Sequence, residues 1–173
     1  MTSPPGSGKT TLIASYLDNR KLPYAWYKLD EGDADIGTFC HYMGLVAKKI
    51  APKYRRPLPI FTREYISSIP VFSKRYFENL FNRITTPYVF VFENYHVVSP
   101  DSKFYEMMSH GLSDIPEGIQ IIISSRAGLP AQFTHMQFSN KIHLFGWEAI
   151  RFTRDEVTEL ARMKKMESLP NPS

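Results

Sequence analysis

Pro4-Pro5-Gly6-Ser7-Gly8-Lys9-Thr10-Thr11 decides how this chain is read, because with Ser3 it fits every position but the first of the pattern G-x-x-x-x-G-K-[ST]. Gly6 and Gly8 permit positive φ and a close backbone approach, so successive N–H groups can curl around an anionic phosphate. Lys9 then offers a cation to β and γ phosphates and the Thr10 hydroxyl a ligand to Mg²⁺, while the helix that starts here turns its positive end to the same point. Pro5, Gly6, Ser7, Gly8, Lys9, Thr10 and Thr11 are therefore the expected nucleotide contacts. Two departures qualify the match. Ser3 stands where the first glycine belongs, and only Met1 and Thr2 precede it where a buried strand normally anchors such a loop. The expected fold therefore lacks its first strand.

The composition fits a folded domain built around that loop. In 173 residues, 43% hydrophobic and 14% aromatic content is enough for one real core and argues against disorder. A net charge of +4 suits a polyphosphate ligand without requiring nucleic acid, so direct DNA binding by this chain is not expected. Cys40 is the only cysteine, which excludes an internal disulfide framework and points to a reducing cytoplasm. No signal peptide, apolar membrane span, repeat or low-complexity tract is visible. The histidines, at 41, 96, 110, 135 and 143, are scattered without a second ligand pair at workable spacing, so a structural metal centre is not expected.

Along the chain, apolar runs alternate with amphipathic stretches. Leu12, Ile13, Tyr16 and Leu17 give a helical stripe over residues 10–19, and Tyr24 to Leu29 reads as a strand before the acidic turn Asp30-Glu31-Gly32-Asp33. That turn is either a solvated loop or a group that orients water or Mg²⁺. Asp35 caps a helix with Phe39, Met43, Val46 and Ile50 on one face. The basic, proline-rich segment 51–70 connects it to a helix opened by Ser68 and Pro70 and lined by Phe72, Tyr76, Leu80 and Ile84. Ser99-Pro100 opens a further helix with Phe104, Met108 and Leu112 inward, residues 128–137 form a short helix, and 141–145 a last short strand. Thr153-Arg154-Asp155-Glu156 is a capping box for a final helix, and 168–173 a disordered tail.

Two strands carry the remaining candidate residues. Tyr88-Val89-Phe90-Val91-Phe92 is a continuous apolar run that delivers Glu93 and Asn94 to its C-terminal end, where ligands lie in open parallel sheets. An acid there can order Mg²⁺ opposite Thr10, so Glu93 is the expected metal and catalytic carboxylate. Asn94 stands where a second acid often orients the attacking water, and its amide cannot accept a proton, so binding is favoured over hydrolysis. Ile119 to Ile123 leads to Ser124-Ser125-Arg126, and Arg126 is placed to meet a γ-phosphate with its planar fork. A surface ion pair is the alternative role for that arginine.

In order along the chain, the phosphate loop, YAWYKLDEGDADIGTFCHYMGLVAKK, YVFVFENYHVVSPDS, GIQIIISSRAGLP and LFGWEAIRFTRDEV resemble the nucleotide-binding core of STAND-class signalling ATPases, specifically the MalT-like large ATP-binding regulators of the LuxR type. That resemblance implies an ATP/ADP switch in which Lys9 and Thr10 take the phosphate and Mg²⁺ contacts, Glu93 the Walker B acid and Arg126 the sensor position. It implies self-association, or attachment to the rest of a larger regulator, with DNA read by a distant helix-turn-helix. The first strand, winged-helix segment, sensor arm and DNA-binding domain of that family are not recognisable here, so a fragment or shortened relative is expected.

The expected architecture is α/β: a P-loop NTPase-type three-layer α/β/α domain over residues 1–167 with its first strand missing. Strands 24–29, 88–93, 119–124 and 141–145 should run parallel, and a gap should open between the last two. The expected activity is ATP binding with slow or no hydrolysis in a cytoplasmic regulator. Two alternatives remain at this level. A small P-loop kinase would share the loop, and an interaction fragment that binds no nucleotide would carry it as a relic.

Overall fold

The computed structural model describes residues 1–150. At its centre is a three-stranded parallel sheet formed by β1 (Tyr24–Lys28), β2 (Tyr88–Glu93) and β3 (Ile119–Ile123), in the order β1-β2-β3. Tyr24 pairs with Val89 and Lys28 with Glu93 on one side of β2, while Tyr88 pairs with Ile119 and Phe92 with Ile123 on the other. Successive side chains on a strand point to opposite faces, and here the two faces carry different cores. Val89, Val91, Trp26 and Ile122 meet α1 (Lys9–Arg20) through Ile13 and Leu17. Ala25, Phe90, Phe92 and Ile119 belong to the larger core with α2 (Ile36–Ile50), α3 (Ile69–Phe81) and α4 (Phe104–Gly111). The chain is therefore α/β with helices on both faces of a parallel sheet.

The sequence stripes account for this packing. Phe39 and Met43 on α2, Phe72, Tyr76 and Leu80 on α3, and Phe104 and Met108 on α4 are all buried to within 1% of complete. Asp35 caps α2 by accepting the Thr38 N–H at 2.7 Å. The expected stripe on α1 holds only in half. Ile13 and Leu17 are buried while Leu12 and Tyr16 are exposed, because among the described residues α1 is the only helix that covers that face, touching it along a narrow line. The helix expected from Ser99 begins later, at Phe104, after a turn in which Ser102 Oγ accepts the Phe104 N–H and donates to Ala34 O.

One expected element is absent. Residues 141–145 form no strand, and Leu144 and Phe145 are about half exposed. Phe145 alone among the described residues of this segment is tied toward the sheet, its carbonyl accepting the Thr2 N–H at 2.8 Å. Thr2 also bridges Ser125 in parallel, and the Ser3 N–H donates to Ser125 O at 3.4 Å. Residues 1–3 thus lie between the end of β3 and Phe145, in the position the sequence reading left as a gap. Residues 128–137 hold a 3-10 turn, Ala131–Phe133, followed by α5 (Thr134–Phe138), and α6 (Trp147–Ile150) ends the described chain. The capping box at 153–156, its helix, the tail at 168–173 and the boundary at 167 lie outside the described residues.

Candidate functional site

The C-terminal ends of β2 and β3 and the start of α1 enclose an open cleft of about 490 Å³, its mouth included. Its walls are residues 5–10, Glu93, Asn94, His96, Ser124, Ser125 and Arg126. Gly6 and Gly8 have φ of 72° and 78°, conformations that side chains resist, and a Cβ on either would meet no atom within 4 Å. The backbone there is therefore exposed to the cleft. Gly8 also starts α1 without a side-chain cap. The first intrahelical bond runs from the Leu12 N–H to Gly8 O at 2.8 Å, so the N–H groups of the preceding first turn have no partner within the helix. No acidic residue occupies that turn to neutralise its positive end.

Lys9 folds back into its own loop. Its Nζ donates to Ser3 O at 2.7 Å, Ser3 Oγ at 2.9 Å, Pro4 O at 3.1 Å and Ser7 Oγ at 3.3 Å. The Ser3 and Ser7 hydroxyls are themselves hydrogen-bonded to each other. Burial, then the charge of Arg126, push the ammonium pKa down, and Glu93 opposes them. A cation surrounded by neutral oxygens and repelled by a neighbouring cation is in want of an anion.

Glu93 ends β2 as a bridge between two elements. Its Oε1 accepts the Thr10 hydroxyl at 2.6 Å and its Oε2 accepts the Trp26 indole N–H at 3.0 Å. Burial pushes its pKa up, but the bonds from Thr10 and Trp26 and the charges of Lys28 and Lys9 outweigh burial and hold it below the ordinary value. The carboxylate is therefore ionised. Thr10 hydroxyl and Glu93 carboxylate are adjacent hard oxygen donors, the type Mg²⁺ takes alongside phosphate oxygens and water, so the residues present fit that ion. Asn94 follows in the left-handed region at φ 61°, which an Asn tolerates better than most residues, and turns the chain into the 3-10 turn Tyr95–Val97.

That turn brings His96 to the cleft, where its Nδ1 accepts the Arg126 backbone N–H at 3.3 Å. The Tyr95 N–H donates to Ser124 O at 3.0 Å, so the turn after β2 is tied twice to the segment after β3. Burial, Arg126 and Lys9 push the His96 pKa down.

Of the sequence-predicted residues, Pro5, Gly6, Ser7, Gly8, Lys9, Thr10, Glu93, Asn94 and Arg126 converge on this one cleft. Thr11 is exposed on α1 and is not among the lining residues. The acidic turn resolves as structure: Asp33 is 2% exposed, its carboxylate takes the Tyr27 hydroxyl at 2.7 Å and the Asp30 N–H at 2.9 Å, and Asp30 caps the turn through the Gly32 N–H. Sequence reasoning missed Trp26, His96, Ser124 and Ser125. His96, three residues beyond Glu93, and the two serines directly before Arg126 had a local signal, and Trp26 had none.

No family model matches the chain. It is 27% identical over 158 residues to the HTH-type transcriptional regulator MalT of Vibrio campbellii, and equally to that of Vibrio parahaemolyticus. Each alignment takes in 90% of this chain and 17% of the relative, so the chain spans about a sixth of the length of these curated relatives. Among the described residues no helix is long and apolar enough to cross a membrane. The chain is thus similar, at low identity and over nearly its whole length, to part of a transcriptional regulator.

Proposed function

We propose that this chain is the nucleotide-binding module of a MalT-like, STAND-type regulator, with a P-loop NTPase fold, that holds ATP or ADP with Mg²⁺ and acts as a switch with slow or no hydrolysis. The observation that carries this reading is the convergence on one cleft of the open Gly6–Gly8 backbone, Lys9, the Thr10–Glu93 pair and Arg126. Backbone N–H groups and Lys9 would hold the β- and γ-phosphates, Arg126 the γ-phosphate, and Thr10 with Glu93 the metal. Bound Mg²⁺ would supply charge neutralisation of the phosphate oxygens. Asn94 cannot serve as a base, which favours retention of the nucleotide over turnover. Partners on this reading are the nucleotide and either a second copy or the remainder of a larger cytoplasmic regulator, without direct DNA contact by this chain.

The kinase alternative is disfavoured because the segment between 119–124 and 141–145 carries Arg126 as its one arginine and so offers no arginine-rich lid to clamp phosphates. Titration calorimetry with ATP, ADP and GTP in excess Mg²⁺ tests the proposal. Saturable binding of ATP and ADP supports it. No saturable binding of any nucleotide would leave the interaction-fragment reading in its place.

A further inference from the structure

We propose that Trp26 is the positioning residue for the cation side of this cleft, acting through Glu93, an inference that rests on the nucleotide reading above. Trp26 lies opposite Val91 in the β1–β2 register, two residues short of Glu93, which lies opposite Lys28. Trp26 and Lys28 therefore project from the same face of β1, and the indole reaches diagonally along the sheet to Glu93 Oε2 at 3.0 Å. A half-buried indole N–H has water available as a partner. Here it engages a carboxylate on the neighbouring strand.

The consequence is a division of labour between the two carboxylate oxygens. Oε2 is held by a donor rigidly mounted on the sheet, whereas Oε1 is held by a hydroxyl on the loop-proximal turn of α1, which turns about one bond. When Thr10 turns toward a cation, Oε1 is released while Oε2 stays fixed, so the carboxylate keeps its aim. The arrangement also explains a glutamate at the end of β2. An aspartate would be shorter by one carbon–carbon bond, about 1.5 Å, too short to span from α1 to β1 with both bonds intact.

The test is Trp26→Phe, which keeps a ring against Ile13, Leu17, Val89 and Val91 and removes the N–H. ATP affinity of wild type and variant is measured by calorimetry in excess Mg²⁺ and again in EDTA. One bond to a charged group at a half-exposed position predicts Mg²⁺–ATP binding about three- to tenfold weaker, with metal-free ATP binding within about twofold of wild type. In a Glu93→Gln background, Trp26→Phe should change the Mg²⁺ enhancement no further. Equal weakening with and without Mg²⁺, or full additivity with Glu93→Gln, overturns the inference.

A second measurement needs no substitution at 26. In ¹H–¹⁵N spectra of the wild-type chain, the indole resonance that moves on Glu93→Gln belongs to Trp26 and should keep its hydrogen-bonded position when Mg²⁺–ATP is added. A shift to the solvent-exposed position overturns the proposal even if Trp26→Phe fails to fold. Wild type that binds no ATP at all brings down the nucleotide reading and this inference with it. Wild type with Mg²⁺-enhanced binding that Trp26→Phe leaves untouched brings down this inference alone.

Discussion

Replacing Lys9 with alanine removes the one side-chain ammonium mounted inside the loop, and the structure sets both the size and the pattern of the expected loss. In the ligand-free geometry Lys9 Nζ is shared among four neutral oxygens at 2.7–3.3 Å. A phosphate must compete with those contacts, but it offers full negative charge to an ammonium whose pKa burial and Arg126 have already pushed down. Hydrogen bonds to charged groups contribute about 1.5–3 kcal/mol each, so losing one such contact corresponds to roughly 10- to 150-fold in affinity. The lower part of that range is expected, because the cleft is open and Lys9→Ala also relieves Arg126 of repulsion from the ammonium. On the proposed reading Lys9 meets the β-phosphate, which both nucleotides carry, so ATP and ADP should both weaken. Calorimetric titration of wild type and Lys9→Ala at one pH and Mg²⁺ concentration reads the ratio, and circular dichroism verifies that the variant is folded. A ratio within twofold for both nucleotides would remove Lys9, and with it the loop, from the binding mechanism.

Arg126→Ala should weaken ATP about tenfold and leave ADP nearly unchanged, because only ATP carries the terminal group a fork at the end of β3 would meet; equal loss for both would make Arg126 structural. Gly111→Ala should lower stability by about 1–3 kcal/mol or more, since the added Cβ would lie 2.0 Å from Cδ2 of Phe77, a ring that is 1% exposed between Tyr76 and Phe81; an unchanged thermal midpoint would contradict the packing of α3 on α4. The lowered pKa of Glu93 means that its contribution to stability is present above about pH 4.5 and is lost as pH falls through the folded value. Glu93→Gln should therefore flatten the acid side of a urea-unfolding profile below pH 4.5, and an identical slope in wild type and variant would show that the Thr10 and Trp26 bonds do not favour the ionised form.

How much of this was legible in the sequence depended on whether the deciding interactions were local. The loop was readable because its two positive-φ glycines, Lys9 and Thr10 stand within five consecutive residues, and the Lys9 ammonium bonds to atoms of that same loop. Strand β2 was readable because burial on both faces leaves an unbroken apolar run. The 141–145 segment has strand-like alternation at Ile142 and Leu144, yet a strand exists only when a neighbour supplies a ladder. Phe145 meets a single N–H, from Thr2. Trp26 was invisible for a related reason: nothing in YAWYK reveals that its register against YVFVFE places the indole beside Glu93. His96 was set aside for want of metal partners, whereas its role follows from the left-handed turn at Asn94 and from a backbone N–H across the cleft. The acidic turn misled in the opposite direction, because Asp33 is turned inward to Tyr27 and away from the cleft.

The same contacts explain why a site able to hold ATP should turn it over slowly. In-line attack on a γ-phosphate needs a group to orient water and accept its proton. Glu93 has Oε2 held by Trp26 and Oε1 held by Thr10 or, on the proposed reading, by the bound cation, and its lowered pKa makes it a poorer proton acceptor than an ordinary glutamate. Asn94 carries an amide. His96 accepts the Arg126 N–H at Nδ1, which requires that nitrogen to be bare and places the proton of the neutral ring on Nε2. The imidazole thus faces the cleft without an available basic nitrogen, and Arg126 and Lys9 oppose its protonation. Every candidate base is committed to holding the walls of the cleft. On the proposed reading the cleft would distinguish ATP from ADP through the Arg126 side chain, and the Arg126 backbone N–H is hydrogen-bonded to His96 in the turn that follows Glu93. A terminal phosphate that draws on the Arg126 side chain therefore acts on a segment whose backbone is tied to His96 and, through Tyr95 and Ser124, to the ends of both strands. Such coupling suits a protein read by which nucleotide it holds rather than by how fast it consumes one.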